Sequence, residues 1–489
     1  MSNTEAAGDT TSPYNSERLQ DYAEDFRRAA HQAVDWIADY LEHARRYPVL
    51  PKTKPGDLID ALPKSAPEQG EPFSALLRDF EQQILPAVTH WNHPRFMAYF
   101  ACTGSAPAIV AEMLAAALNT NGIHWQTSPA VSELEQVTLG WLRQWLGLPP
   151  EFFGIIYDTA SVSSMHAIAA AREMADPNAR VEGSRSNLVL YTSEQSHSSI
   201  EKSAIAIGIG QKNVRKVPVD SEFRMRPDLL RDMAAQDYAA GLRPFCVVAT
   251  VGTTSTTSVD PVAEVAEVAE KYNLWLHVDA AYAGAAAILP EQKHILAGAE
   301  RAHSLVTNPH KWLFTPSDLS ILYTRRPDIL RRAFSLVPEY LRTEEHPRAV
   351  NLMDYGVPLG RRFRALKLWF VLRYFGREGI QRLLRAHIAW GQEFASWVDA
   401  EPRFERVAPA PFSTVCFRYR GSDEENHALL ERVNASGQLF LSHTELNGRY
   451  VLRVAIGNLA TTHEDVQAAW EIIRGFTTET RRHGEILNL

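Results

Sequence analysis

The sequence has few cysteines and no long uninterrupted apolar run. Its 489 residues include only three cysteines, Cys102, Cys246 and Cys416, which lack the number and spacing of a disulfide framework or a zinc site. No stretch reaches the roughly 18 to 20 apolar residues that a membrane-spanning helix requires. The first residues lack the basic and apolar pattern of a signal peptide. We therefore expect a cytoplasmic protein without membrane contact.

Basic residues are not in excess either. The chain has 50 Lys and Arg residues against 58 Asp and Glu residues, and its formal net charge of −8 argues against a nucleic-acid partner. No Gly-x-Gly-x-x-Gly motif follows a predicted strand, so a dinucleotide site is not supported. His90 and His93 have no third ligand at a sensible spacing, and we expect no metal site.

The chain is longer than a single domain usually is, and its pattern changes along its length. Residues 1–15 are polar and are expected to be disordered. Residues 16–100 show helical periodicity without a core of their own, which indicates an arm that packs on a partner subunit. Residues 101–376 form the predicted large domain, and residues 377–489 a smaller α+β domain.

Short apolar runs in the large domain predict the strands of a mostly parallel sheet with helices on both faces, an α/β fold. The runs are residues 188–191, 245–251, 274–278 and 304–307. Ligands of such sheets bind outside the carboxyl ends of the strands. Polar residues that directly follow these runs are therefore candidates for a functional site.

Lys311 follows the last run, within the sequence Asn308-Pro309-His310-Lys311-Trp312. A partly desolvated lysine has a lowered pKa and can attack a carbonyl, which indicates a Schiff base with an aldehyde cofactor such as pyridoxal phosphate (PLP). Asp279 ends the run before it, where a carboxylate can keep the pyridine nitrogen of PLP protonated. The alternatives are a lysine at a loop–helix junction and a structural aspartate.

Small and hydroxyl residues precede an alanine-rich helical segment in the sequence Asp158-Thr159-Ala160-Ser161. The free N–H groups and the dipole of a helix N-terminus both favour phosphate. An ordinary Ser or Thr N-cap is the alternative.

With these motifs the chain resembles the PLP-dependent group II amino-acid decarboxylases, and within them the aromatic-L-amino-acid decarboxylases, from about Phe26 to about Gly475. The resemblance implies the aspartate aminotransferase fold (fold type I), an amino-acid substrate, and an obligate homodimer with active sites at the subunit interface. It also implies that the cofactor is bound by Ala160, Ser161, His197, Thr254, Asp279, Ala281, Asn308, His310 and Lys311.

The same resemblance assigns catalysis to Lys311, Asp279, His197 and Tyr340. His197 matches a histidine stacked on the cofactor ring. Tyr340 lies in a charged, proline-broken segment that is typical of a lid, and it matches a tyrosine that protonates the reaction intermediate. A half-buried loop anchor is the alternative for Tyr340. Family members that form an aldehyde with O2 typically lack this tyrosine or this histidine.

The implied substrate pocket departs from the family pattern. It comprises Trp91, Tyr99, Phe100, Cys102, Asn121, Ile123, His124 and Gly360. Cys102 stands where relatives carry threonine, and a thiol is a weaker donor. Asn121 and His124 are more polar than expected. Asp158 stands where relatives usually carry glycine, and its carboxylate is unfavourable beside a phosphate unless it points away.

These observations predict a carboxy-lyase that converts an aromatic L-amino acid to its amine and CO2. By resemblance, Gly360 matches a glycine of plant decarboxylases with indole preference, although animal enzymes that accept catechols also have it. We expect tryptophan first, with tyrosine, dopa and phenylalanine as further candidates, since Asn121, His124 and Cys102 equally favour a hydroxylated ring. The alternatives are an aldehyde synthase, a decarboxylase of a non-aromatic amino acid, and a PLP-binding protein without turnover. Glutamate is disfavoured because the aromatic pocket wall offers no arginine clamp beyond Arg95.

Overall fold

The computed structural model describes residues 16–185, 187–336 and 348–486. The chain divides after His93 into two compact units, and the second unit begins at Pro94. The tail predicted for residues 1–15 lies outside the described residues. The domain boundaries expected at residues 100 and 376 stay predictions.

The N-terminal unit is helical, in agreement with its apolar periodicity. Its α-helices are α1 (Ser16–His43), α2 (Asp57–Ala61) and α3 (Phe73–Asp79). The ring of Trp36 stacks on Tyr40 and meets Phe80 edge-on, at centroid distances of 5.3 and 5.1 Å. This small aromatic core leaves several large apolar side chains more than half exposed: Tyr22, Phe26 and Ile59.

A seven-stranded sheet forms the centre of the second unit. Its strands are β1 (Phe153–Tyr157), β2 (Leu188–Ser193), β3 (Val214–Val217), β4 (Arg243–Thr250), β5 (Trp275–Asp279), β6 (Ser304–Thr307) and β7 (Ser320–Thr324). Their order is β1-β7-β6-β5-β4-β2-β3, and the five strands from β6 to β3 run parallel. Only β7 is antiparallel to its neighbours β6 and β1. The predicted mostly parallel sheet is confirmed.

Both faces of this sheet are buried, as the continuous apolar runs predict. Along β4, Val247 and Ala249 belong to one apolar core, whereas Cys246 and Val248 belong to another. Because side chains alternate between the faces of a strand, the two cores lie on opposite sides of the sheet. The α-helices of this part of the chain are α4 (Ala106–Leu118), α5 (Pro129–Leu146), α6 (Ala160–Ala175), α7 (Ala179–Glu182), α8 (Ser198–Ala206), α9 (Pro227–Ala239), α10 (Val262–Lys271), α11 (Pro309–Trp312) and α12 (Pro327–Phe334).

A second, four-stranded sheet lies in the C-terminal part. The remaining elements are α13 (Arg364–Ala400), β8 (Phe404–Arg406), β9 (Thr414–Tyr419), α14 (Asp423–Ala435), β10 (Ser442–Leu446), β11 (Arg449–Ala455) and α15 (His463–Ile486). The strands follow the order β10-β11-β9-β8, and neighbouring strands are antiparallel. The long helix α13 is interrupted at Gly376, whose φ of 62° lies in the left-handed region that favours glycine. This kink lies at the residue where the sequence predicts a domain boundary, and the boundary itself stays a prediction.

Two other features are absent from the residues that the structure describes, a membrane-spanning helix and a metal cluster. None of the helices that the structure describes has the length and apolar character needed to span a membrane. Within the same residues, no group of three or more His, Cys, Asp or Glu side chains comes together in a way that could hold a metal ion.

Burial makes the stability of this fold depend on pH. Burial lowers the pKa of His310 to about 3. It lowers the pKa of four further histidines to about 4: His166, His277, His303 and His387. An unfolded chain, with histidine pKa values of about 6.5, binds more protons than the folded chain between pH 6.5 and 4. The contribution of these five histidines to the free energy of unfolding is therefore fully present above pH 6.5. It is lost progressively as the pH falls from 6.5 to 4.

We therefore expect the midpoint of thermal unfolding to fall steadily between pH 6.5 and pH 4.5. Asp260 acts in the opposite direction, because burial raises its pKa to about 7, but it is one group against five. The measurement is a series of thermal melts from pH 8 to pH 4.5, with His387→Gln as a variant that should flatten the slope. A midpoint that stays constant from pH 7 to pH 5 would contradict the expectation.

Candidate active site

A cavity of about 180 Å³ lies at the carboxyl ends of the parallel strands. All nine residues predicted to bind the cofactor line it, together with one predicted pocket residue, Phe100. They reach it from β2, β4, β5 and β6 and from the first turn of α6. Five further residues line the cavity that are not among the predicted cofactor residues: Thr159, Ser199, Thr250, Gly252 and Tyr282.

Lys311 lies on α11, directly after β6. Its Nζ is 5.1 Å from the centroid of the Phe100 ring. Burial lowers the pKa of the amine, and the nearby charge of Arg453 lowers it further, whereas Asp279 acts in the opposite direction. A lysine in this setting is neutral more often than a surface lysine, which is the form that attacks a carbonyl.

Asp279 is the last residue of β5 and is 5% exposed. Its Oδ1 accepts a hydrogen bond of 3.1 Å from the N–H of Ala281. The backbone around it is held by neighbouring strands, because Val251 N–H donates to the Asp279 carbonyl at 2.8 Å. The carboxylate therefore has a fixed position at the wall of the cavity.

His197 caps the N-terminus of α8, four residues after β2 ends. Its Nδ1 accepts a hydrogen bond of 3.1 Å from the N–H of Ser199. Burial, and next the charge of Lys311, lower the pKa of the ring. The neutral ring then carries its proton on Nε2, because Nδ1 acts as an acceptor.

The hydrogen bonds of His310 determine the orientation of the Asn308 amide. His310 Nδ1 accepts a bond of 2.9 Å from Leu319 N–H, so the neutral ring carries its proton on Nε2. The Asn308 amide lies 3.2 Å from Nε2 of His310. Because this Nε2 carries a proton, the amide should present its oxygen to it. If the NH2 group faced Nε2 instead, the amide oxygen would be buried without a partner among the described residues. The Asn308 NH2 group is therefore left to donate to a ligand.

Two backbone segments border the cavity, the first turn of α6 and the turn after β4. Ala160 and Ser161 form the first turn of α6, where N–H groups have no acceptor within the helix. Thr254 lies in the turn after β4, where the N–H groups of Gly252 and Thr253 both donate to the Ser258 carbonyl at 3.0 Å. Gly252 is required in this turn, since its φ is 88° and a Cβ would lie 2.6 Å from Ala283 Cβ.

The lining residues fit PLP. Thr250 Oγ1 lines the cavity, is buried and has no hydrogen-bond partner among the described residues. A buried hydroxyl without a partner is costly unless a ligand satisfies it. Lysine, carboxylate, hydroxyl and a helix N-terminus match the aldehyde, ring nitrogen, phenol oxygen and phosphate of this cofactor.

Asp158 points away from this cavity. It lines a separate cavity of about 230 Å³, with Gly360 and Arg361 on its wall. Its Oδ1 accepts a hydrogen bond of 2.6 Å from Thr159 N–H. The carboxylate therefore shapes the turn before α6 without facing the cofactor cavity, so its repulsion of a phosphate should be small.

The substitution Asp158→Asn tests this orientation. Asparagine keeps the oxygen that accepts from Thr159 N–H and removes the charge. We expect the dissociation constant for PLP to change by less than about twofold. The reason is that a carboxylate directed away from the cavity contributes little to the electrostatic energy of the phosphate, so replacing it by an amide changes that energy little. Titration of the apoenzyme with PLP measures it. A fivefold tightening in the variant would mean that the carboxylate does act on the phosphate.

The other predicted pocket residues do not line the cavity around Lys311. Tyr99 is 54% exposed, and Trp91 belongs to the N-terminal unit. Cys102 is coupled electrostatically to Lys311, and burial raises the pKa of its thiol. Tyr340 lies outside the described residues, so its predicted role stays a prediction.

Asn121 and Gly360 form a pair elsewhere on the second unit. Asn121 Oδ1 accepts a hydrogen bond of 2.8 Å from Arg361 N–H. A Cβ at position 360 would lie 3.4 Å from Asn121 Nδ2, so glycine leaves room for this amide. The bond to Arg361 leaves Nδ2 exposed as a donor.

The neighbouring predicted residues, His124 and Ile123, also accept hydrogen bonds within the chain. His124 is buried, and its Nδ1 accepts from Thr127 N–H at 3.3 Å. The Ile123 carbonyl accepts from Met353 N–H at 3.1 Å. Nδ1 of His124 is therefore used within its own turn.

Arg453 is a site residue that sequence reasoning missed. Its guanidinium lies 4.5 Å from the centroid of the Phe100 ring. Its Nε donates to the Ser255 carbonyl at 3.0 Å, and its Nη2 is buried without a hydrogen-bond partner in the part of the chain that the structure describes. The available signal was an arginine inside the apolar run of β11, since a buried charge requires a reason.

The fold and the cavity together define a class of protein. A mostly parallel sheet with a desolvated lysine and a fixed carboxylate at its carboxyl edge is the arrangement of a PLP-dependent enzyme of fold type I.

Comparisons with known proteins narrow this class. A model of the pyridoxal-dependent decarboxylase conserved domain matches residues 55–420. A tryptophan decarboxylase of Camptotheca acuminata is 42% identical over 92% of this chain and 94% of its own, and an aromatic-L-amino-acid decarboxylase of Sus scrofa is 42% identical over 94% and 97%. The chain therefore belongs to the pyridoxal-dependent decarboxylase family.

Solved structures agree with this assignment. The structure of Oryza sativa TDC with PLP and tryptamine superposes with a TM-score of 0.91 and 39% identity, covering 96% of this chain and 100% of that one. The structure of Rhodiola rosea 4-hydroxyphenylacetaldehyde synthase superposes with a TM-score of 0.87 and 34% identity, covering 96% and 99%.

Proposed function

We propose that this PLP-dependent decarboxylase converts an aromatic L-amino acid to the corresponding amine and CO2, with the cofactor held at Lys311. The observation that carries the proposal is the assembly of Lys311, Asp279 and His197 around one cavity, whose lining also includes the rings of Phe100 and Tyr282. The names of the relatives in Camptotheca acuminata and Sus scrofa support an aromatic substrate. Tryptophan is the first candidate, followed by tyrosine, dopa and phenylalanine.

Each residue of the cavity has a role in this proposal. PLP supplies an electron sink for the bond between Cα and the carboxylate. Asp279 would hold a proton on the ring nitrogen, and His197 would flank the ring with Nε2–H as its free donor. Ala160 and Ser161 would bind the phosphate through N–H groups at the start of α6. The lowered pKa of Lys311 favours the neutral amine that the cofactor requires.

The protein acts as a homodimer in this proposal. Asn121, Ile123, His124 and Gly360 are predicted pocket residues that do not line the Lys311 cavity of their own chain. A second copy would bring them to it. Exposed apolar side chains support such a partner: on α4 these are Val110, Met113, Leu114 and Leu118.

We also propose a cytoplasmic location for the protein. It is supported by Cys246 and Cys416, which are buried free thiols, since disulfides are rare in that compartment.

A product assay tests the proposed reaction. Purified protein with PLP is given aromatic, acidic and imidazole amino acids, and mass spectrometry detects amine and aldehyde. We expect an amine from at least one aromatic substrate and none from Lys311→Ala. An aldehyde with peroxide would support the second candidate, an aldehyde synthase, which the likeness to the Rhodiola rosea enzyme favours. Amine only from non-aromatic substrates would overturn the aromatic assignment.

Tyr340→Phe should lose amine production while it keeps the cofactor. The phenol is the proposed acid that protonates Cα, and general acid catalysis of this kind is typically worth about 10²–10⁴ in rate. The rate of amine formation and the visible absorbance of the bound cofactor are measured on the same sample. An unchanged amine yield would remove this role from Tyr340.

Asn121→Ile should shift the substrate preference away from hydroxylated rings. Asn121 Nδ2 is an exposed donor, since Oδ1 is engaged by Arg361 N–H, and loss of a donor that meets a ring hydroxyl costs about 10-fold or more. The measurement is the ratio of kcat/KM for dopa to kcat/KM for tryptophan. The same ratio in both proteins would exclude Asn121 as a determinant.

A further inference from the structure

A chain of buried hydrogen bonds links α6 to strands β5 and β6. His277 Nε2 lies 3.1 Å from Ser164 Oγ, and its Nδ1 lies 2.9 Å from Ser304 Oγ. Trp275 Nε1–H donates to the same Ser304 oxygen at 2.8 Å. All four side chains are fully buried. The chain therefore connects one helix and two strands within the core.

Two members of this chain, Ser164 and His277, lie on elements that also carry residues of the cofactor cavity. Ser164 is four residues after Ala160, about one turn along the same face of α6. His277 is two residues before Asp279, on the same face of β5. The hydrogen bond between Ser164 and His277 thus joins the helix of the proposed phosphate site to the strand of the proposed ring-nitrogen carboxylate.

A polar link of this kind is unusual at its position. His277 is fully buried on the face of β5 that also carries Trp275, a member of an apolar core. An imidazole in these surroundings costs desolvation energy that a leucine or phenylalanine would not. In return, a buried hydrogen bond fixes direction and distance, whereas apolar contacts allow small slides between a helix and a sheet. PLP is a rigid ring that must meet both ends at once.

We propose that Ser164, His277 and Ser304 are positioning residues that set the spacing between the phosphate end and the ring-nitrogen end of the cofactor site. None of the three lines the cavity, so they act through the helix and strands that they join. The proposal rests on the roles given above to Ala160, Ser161 and Asp279. It predicts that loss of the link weakens the binding of PLP more than it weakens the fold.

Ser164→Ala removes the link at α6, and the chain offers a matched control. Ser203 is also a buried helical serine, but its hydroxyl donates to Ser199 O of its own helix α8. We expect Ser164→Ala to raise the dissociation constant for PLP about tenfold, the scale of one buried hydrogen bond. Ser203→Ala should stay within about twofold of wild type. Ser164→Thr, which keeps the hydroxyl, should restore tight binding.

Three readouts separate positioning from general loosening. The dissociation constant is measured by titration of the apoenzyme, the phosphate environment by the 31P shift of the bound cofactor, and the fold by the unfolding midpoint of the apoenzyme. We expect the two alanine variants to lose similar, small amounts of thermal stability, with an altered 31P shift only in Ser164→Ala. Equal weakening of PLP binding in both variants, or none in Ser164→Ala, would overturn the proposal.

A double-mutant cycle adds a second test. His277→Phe removes both hydrogen bonds of the ring, so we expect Ser164→Ala to cause little further loss of PLP affinity in that background. Full additivity of the two effects would contradict a connected chain. Failure of the proposed function is distinguishable, because wild type would then lack the visible absorbance that depends on Lys311. If wild type has that absorbance, the outcome of the cycle concerns the positioning chain alone.

Discussion

The parallel pairing of β5 with β6 is the interaction on which the site depends. Asp279 lies in register with Val306, and the N–H of Ala280 donates to the Val306 carbonyl at 3.0 Å. The pairing continues past the strand ends, since Asn308 N–H donates to the Ala281 carbonyl at 3.1 Å. Residues far apart in the chain are thereby brought to one edge of the sheet. The carboxylate and the lysine face one cavity because their strands end together.

Desolvation gives this edge its chemical character. Burial is the largest cause of the lowered pKa of Lys311, His197 and His310. Burial therefore disfavours the charged form of each of these three bases beside the carboxylate of Asp279. Such a site suits a cofactor that carries its own phosphate charge, because the N–H groups in the first turn of α6 have no acceptor within the helix and favour an anion.

Local patterns predicted most of the parallel sheet and the residues at its edge. Buried strands read as continuous apolar runs, and each run is followed by a polar residue with a distinctive neighbourhood, such as His197 or Lys311. Strand ends are local features, and parallel topology then brings them together. Lys311 and Asp279 were predicted from these local patterns, whereas the resemblance to a known family implied the full set of nine cofactor residues, all of which line the same cavity.

Contacts between residues that lie far apart in the sequence could not be predicted from local patterns. Arg453 reaches Phe100 from the second sheet, across more than half of the chain. Glu135 and Arg361 form a buried ion pair at 2.9 Å, although the two residues lie in separate segments. Neither contact has a local signature, because its energy comes from partners that only the tertiary fold supplies. Polar residues in apolar surroundings mark that a partner exists without identifying it.

The placement of Lys311 also requires more than its strand. Helix α11 has only four residues, too few to hold its own shape. Trp312 anchors it: the indole stacks on Tyr282 at 4.7 Å, and Tyr282 stacks on Phe100 at 3.8 Å.

The indole also donates to His387 Nδ1 at 3.1 Å, which ties α11 to α13. Tyr282 follows Asp279 by three residues, so the aromatic stack joins the segment of the carboxylate, the segment of the lysine and the wall of the pocket. A shift of any one of the three rings would move the others, because stacked rings in a close-packed core have no room to slide independently. The relative positions of Lys311 and Asp279 are therefore held by aromatic packing as well as by the strands.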